Sequence, residues 1–315
     1  MKYPVAAKKN GFPRTLRNAA CACAVAACLA PAPMLWADAS CTPPPELRAR
    51  LTGTPDASAY NDLGIWFAGK EQYACSAEAL ATSLQMEPQQ KDVARIAFMF
   101  GVSLYFSGQA KDAIAALQQV EQMGYRDTRL HLVLASAFDS TQANANAEAE
   151  WRQALEQDWE SSPALDGLSS DLNADGNFAA TIALLEDPKV LSQRTSTQSL
   201  NLGAAYAKTG KLAEAAAALQ DGLNTTPDSQ ELANALAGVL AQLDRTGEAA
   251  TALKLQLAAH PDNAQEHARL GILLAQARQF AEAKAELEKA ISLGDASSET
   301  TENLSRVMQA LDAKK

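Results

Sequence analysis

The sequence predicts an all-α protein, on two features of composition and one of spacing. Its 315 residues are 47% apolar, with alanine and leucine dominating that fraction, and only 6% aromatic. That balance favours helices over strands, which prefer β-branched and aromatic side chains. The spacing feature is a recurrence every 34 residues of Leu202-Gly203, Leu236-Ala237 and Leu270-Gly271, with Pro227 and Pro261 at the same interval. A period of that length marks a stacked supersecondary unit, so counting domains by length does not apply here.

The first segment, residues 1–39, reads as an export signal. Lys2, Lys8, Lys9, Arg14 and Arg17 precede an uncharged stretch from Asn18 to Trp36, and Ala37-Asp38-Ala39 offers a small-x-small cleavage site before Ser40. A membrane anchor is the competing reading, which Pro31 and Pro33 weaken by interrupting the apolar run. Val25-Ala26-Ala27-Cys28 is similar to a bacterial lipobox, so lipidation at Cys28 stands as the alternative way of processing.

The full chain carries 27 basic against 37 acidic residues, a formal charge of −10, and processing removes five of the cations. Such acidity argues against a nucleic-acid partner, because affinity for phosphate backbones comes from Lys and Arg displacing counterions. It also repels anionic lipid surfaces, so no direct membrane binding is expected unless Cys28 is lipidated.

Of five cysteines, Cys21, Cys23 and Cys28 belong to the signal, which leaves Cys41 and Cys75. In an oxidising compartment two cysteines suggest a disulfide; two free thiols or a metal pair are the alternatives, and no Cys-x-x-Cys or histidine cluster supports a metal. The lead-in segment 40–56, with Pro43-Pro44-Pro45 and a short helix over Glu46 to Leu51, would be tied by that disulfide to the first repeat.

Extending the 34-residue period gives repeat starts at 57, 94, 128, 162, 196, 230 and 264, with one three-residue slip between the first two. Four columns hold in all seven copies. Leu63, Phe100, Leu134, Leu168, Leu202, Leu236 and Leu270 are large, and the next position carries only Gly, Ala or Ser. The facing column, Ser76, Ala113, Ala147, Thr181, Ala215, Ala249 and Ala283, is uniformly small, and its large partner column runs from Leu80 to Leu287. Small residues let the helices of a pair approach, while large ones fill the gap to the next pair. Pro227-Asp228-Ser229 and Pro261-Asp262-Asn263 end one helix and supply N-cap oxygens for another. The fourth copy, with Pro163 and Pro188, is expected to have shortened or bent helices.

This pattern resembles the tetratricopeptide repeat family. The resemblance implies a right-handed α-α superhelix of about seven helix-turn-helix repeats over 57–297, with a C-terminal capping helix and tail over 298–315. In that last segment Leu304, Met308 and Leu311 fall at helical spacing.

No catalytic, metal or cofactor signature survives inspection. Asp171, Asn173, Asp175 and Gly176 open like a calcium loop, but Ile182 stands where the closing bidentate Glu belongs, and Gly176 reads instead as an interhelical turn in phase with Gly210. Lys208-Thr209-Gly210-Lys211 lacks the flanking residues of a phosphate loop and sits at the equivalent turn. His131, His260 and His267 fall in three different repeats, and the equivalent places of His131 and His267 favour packing.

The resemblance further implies a non-enzymatic interaction scaffold, with first helices lining a concave groove that takes a peptide or helix of another protein. Arg95, Phe98, Val102, Tyr105 and Phe106 of repeat two and Arg129 of repeat three are the candidate binding residues, since aromatics and arginine dominate interface energetics. The carboxylate clamp of the family's chaperone-binding branch is not expected. Its places in the last three repeats hold Leu200, Ala204, Ala235 and Gln265, and only Arg269 matches.

Overall fold

In a computed structural model of the chain, described over residues 41–188, 190 and 194–313, every regular element is an α-helix. The signal pattern, Cys28 included, lies outside the described residues. The chain divides into two compact units, one ending at Trp159 and the other beginning at Glu160.

Unit 1 opens with α1 (Pro45–Leu51), then three helix pairs: α2 (Ala57–Ala68) with α3 (Tyr73–Met86), α4 (Val93–Phe106) with α5 (Ala110–Gln122), and α6 (Thr128–Ser140) with α7 (Asn144–Gln157). Cys41 and Cys75 are joined, their Cα atoms 5.6 Å apart, which sets the start of the chain against α3. Around this clasp Leu47, Leu51 and Trp66 pack on Leu63, Phe67 and Ala79, and Arg50 pairs with Asp62.

Unit 2 contains α8 (Ser162–Ala174), α9 (Phe178–Leu185), α10 (Ser196–Lys208), α11 (Leu212–Thr225), α12 (Gln230–Gln242), α13 (Thr246–Ala259), α14 (Ala264–Gln276), α15 (Phe280–Ser292) and α16 (Ser298–Asp312). As expected for the fourth repeat, α9 is short, at eight residues. Its C-terminal Glu186 accepts a hydrogen bond from the Tyr206 hydroxyl, and burial followed by this bond pushes the phenol up to about 12. The last helix covers the final pair through Thr300, Leu304, Val307 and Leu311, while Met308 turns to solvent.

The columns read from the sequence are the interior. All seven small residues of the second-helix column are fully buried, and the large residues facing them are buried as well. Where the first helix carries glycine the reason is steric: a Cβ at Gly64, Gly101, Gly203 or Gly271 would stand 2.5–2.6 Å from the Cγ of Leu80, Leu117, Leu219 or Leu287.

The turn inside each pair adds a feature not evident from composition. Glu71, Gly108, Gln142, Gly176, Gly210, Asp244 and Arg278 all have positive φ, between 57° and 85°, and each is the fifteenth residue of its repeat. The following amide returns to a carbonyl five residues back, as in Ala143 N to Phe138 O at 2.9 Å, which closes the first helix. The same backbone state recurs in every copy, the fourth included, at the same distance from the repeat starts read from the sequence. Second helices start straight from this turn without a side-chain cap. Several first helices are capped by side chains, among them Asp56, Asp127, Thr195, Ser229 and Asn263.

A non-glycine residue in the left-handed region is strained by about 1–2 kcal/mol, and glycine gives back part of that relief as chain entropy. Gln142→Gly is therefore expected to raise the stability of unit 1 by about 0.5–1 kcal/mol. Urea denaturation would register this as a higher midpoint at unchanged slope.

Candidate functional site

Within unit 1, α4 lies beside α2 and α6, so the three first helices form one layer. Ile96, Ala97, Phe98, Phe100, Gly101, Ser103 and Leu104 bury most of the α4 circumference. What remains open is the row Arg95, Met99, Val102 and Phe106, spaced i, i+4, i+7, i+11 along one helix face. Arg95 and Phe106 are exposed at its two ends, and Met99 and Val102 are half-buried between them. At corresponding repeat positions α2 contributes Ile65 and α6 contributes Val133, among polar residues that include Asp62 and Ser136, so the apolar surface is centred on α4 and has Arg95 at one end.

The sequence-derived residues divide over this geometry. Arg95, Val102, Tyr105 and Phe106 are on or beside the open face. Phe106 is 54% exposed although its ring stacks on Tyr73 at 4.9 Å and meets Tyr105 edge-on at 5.0 Å.

Phe98 requires a correction, because it is only 6% exposed and is no outward groove residue. Its ring stacks on Tyr125 at 5.2 Å, and the Arg129 guanidinium sits over it at 5.8 Å. The connection between α5 and α6 carries Tyr125 back onto α4, a contact that helical periodicity alone does not contain.

Arg129 is exposed but committed. Its Nε and Nη2 donate to Asp127 Oδ1 and Oδ2 at 2.9 and 2.5 Å, and the same carboxylate accepts the Arg129 amide as the N-cap of α6. The guanidinium holds the Asp127 carboxyl below the usual carboxylate range. Burial, then the Asp127 charge, pushes the Tyr125 phenol up, opposed by Arg129 and Arg95. Arg95 itself has no side-chain hydrogen bond or ion pair among the described residues.

Two of the three histidines, His131 and His267, are buried and bonded to neighbouring helices, while His260 is exposed. His131 Nδ1 lies 2.7 Å from Glu150 Oε2, and His267 Nδ1 lies 2.6 Å from Glu286 Oε2 with its Nε2 2.9 Å from the Pro261 carbonyl. No cluster of three or more metal-ligating side chains occurs among the described residues. Asn173 of the calcium-like run donates to the Asn201 carbonyl at 2.8 Å, and Gly176 forms the expected turn.

The first-helix face of unit 2 is built differently. Asn201 donates to Ser169 and Ser170, and Asn234 to Glu266, a carboxylate only 4% exposed that also accepts from Gln230. These side chains are spent on repeat-to-repeat bonding, and Ala204 and Gly238 stand where α4 has Val102. A cleft of about 910 Å³ opens elsewhere in unit 2, between α11 and α13. Ala213, Ala216, Ala217 and Ala252 line it, Leu236 and Leu240 form its floor, and Leu255 is 72% exposed on its edge. None of the sequence-derived binding residues lies there.

No protein-family model matches the chain, and no curated protein matches it by sequence. Solved structures do match it in fold. The C-terminal part of a TPR repeat-containing protein from Cytophaga hutchinsonii aligns with 78% of this chain and 99% of its own length, at TM-score 0.65 and 15% identity. A tetratricopeptide repeat protein from Parabacteroides merdae aligns over 80% and 98%, at TM-score 0.56 and 14% identity. PilF from Pseudomonas aeruginosa aligns over 70% and 97%, at TM-score 0.50 and 19% identity. With the phased columns, the uniform left-handed turns and these likenesses together, the chain has the tetratricopeptide repeat fold.

Proposed function

We propose that the chain is an exported, non-enzymatic interaction scaffold, and that unit 1 binds an extended peptide segment of another protein along the open face of α4, between α2 and α6. The observation that carries this reading is the open row on α4. A half-buried Val102 beside a Phe106 that remains 54% exposed is apolar surface left uncovered in a chain otherwise poor in aromatics. A layer of stacked helices presents that surface preformed, so little ordering entropy opposes binding. Export rests on the basic, apolar and small-residue succession of residues 1–39, and a clasp of Cys41 and Cys75 suits an oxidising compartment.

The test is display of random octapeptides against the immobilised mature chain. Enriched peptides are expected to compete with one another and to lose binding to a folded Val102→Ala/Phe106→Ala variant. Absence of enrichment, or binding indifferent to those changes, would sink the reading. A second mode of attachment is favoured by Val25-Ala26-Ala27-Cys28, which fits a lipid-anchored subunit of an envelope assembly or secretion complex. Metabolic labelling with palmitate, compared with Cys28→Ser, separates it from the released form.

A further inference from the structure

Resting on that reading, we infer that the segment bound by unit 1 carries an Asp or Glu side chain seated on Arg95 and, about five residues away, a large apolar side chain seated on Phe106.

The charge is the first argument. Arg95 is exposed and has no ion-pair partner among the described residues of a strongly acidic chain. Asp92, three residues before it, is not paired with it, and the Asp127 carboxylate is already engaged by Arg129. Arg95 lies near enough to Tyr125 for its charge to act on the phenol, which puts the guanidinium at the same end of the layer as the Phe98–Tyr125 stack. A guanidinium held at the end of an apolar row, with no acceptor among the described residues, is complementary to a carboxylate that can take two of its N–H groups.

The second argument is length. Arg95 and Phe106 are eleven positions apart on one helix, and at about 1.5 Å per residue they are separated by about 16 Å along its axis. An extended chain rises about 3.3 Å per residue, so about five residues span that distance. Phe106 is backed by Tyr73 and Tyr105, which hold its ring against an incoming side chain. The source of the carboxylate is an internal side chain. Arg95 is the one cation on α4, beside Met99, Val102 and Phe106, and a single guanidinium matches a single side-chain carboxylate.

The test uses the octapeptide display with the peptides fused at both ends, so that no free C-terminus is offered. Wild type is expected to enrich Asp or Glu about five positions from Phe, Leu or Met, with a preference of about tenfold for the acid over its amide, the worth of one charge-assisted pair. Arg95→Glu, checked for fold by circular dichroism and melting, is expected to keep the apolar preference and to exchange the acid for Lys or Arg. Apolar enrichment without an acid, an acid preference unmoved by Arg95→Glu, or enrichment that appears only in a parallel library with free C-termini would each overturn the inference while leaving the peptide-binding reading intact. If wild type enriches nothing from either library, the peptide-binding reading fails and this inference falls with it.

Discussion

Phe98→Ala is expected to lower the stability of unit 1 by about 3–5 kcal/mol, the cost of emptying a buried aromatic site. The ring contacts Tyr125 and the Arg129 guanidinium and is only 6% exposed, so truncation leaves a cavity between α4 and the α5–α6 connection. Phe106→Ala, which removes a ring that is half in solvent, is expected to cost about 1 kcal/mol or less. Urea denaturation of the two variants side by side decides the matter. A Phe98→Ala protein as stable as wild type but unable to bind peptide would place Phe98 back on the recognition surface.

Reducing the disulfide is expected to remove about 3–4 kcal/mol from unit 1, because opening a closed loop of this size releases chain entropy in the unfolded state. Cys41 and Cys75 are 34 residues apart, and the bond ties the lead-in segment onto α3 at the point where Leu47 and Leu51 meet Leu63 and Phe67. The measurement is denaturation of the mature chain with and without a phosphine reductant. Cys41→Ser/Cys75→Ala is expected to behave as the reduced protein and to be insensitive to the reductant. Equal midpoints in all four samples would show that the apolar contacts around α1 hold the segment without the bond.

Both results bear on what could be read in advance. The columns were legible because they depend on local periodicity: small residues recur wherever two helices of a pair touch, and that contact is made between residues twelve to sixteen apart, as with Ser76 and the Gly64 carbonyl at 2.8 Å. The turns were legible only in part. Gly108, Gly176 and Gly210 advertise a left-handed residue, but Glu71, Gln142, Asp244 and Arg278 adopt the same state because the helix closure demands it, whatever the side chain.

The candidate site was less legible. Phe98 and Phe106 are both aromatic, both on α4 and both outside the signature columns, and nothing in their spacing tells them apart. Tyr125, 27 residues beyond Phe98, makes the difference by folding over one ring and leaving the other. Glu266 and Asn234 carry no signal in the sequence for a similar reason: a carboxylate in a helix is normally solvated, and only their cross-repeat bond of 2.7 Å accounts for a buried one. The same holds for Arg95 and Arg129, equivalent by register, of which Asp127 occupies only the second.

What this protein's sequence determined by itself is therefore the architecture: helical composition, a 34-residue phase and alternating small and large columns dictate stacked helix pairs, since each pair has an apolar surface that only a neighbour can cover. What the tertiary structure alone decided is which of the remaining side chains are free to meet a partner. That choice is made by contacts between residues far apart in the chain, and a periodic pattern, repeating the same surface in every copy, carries no record of them.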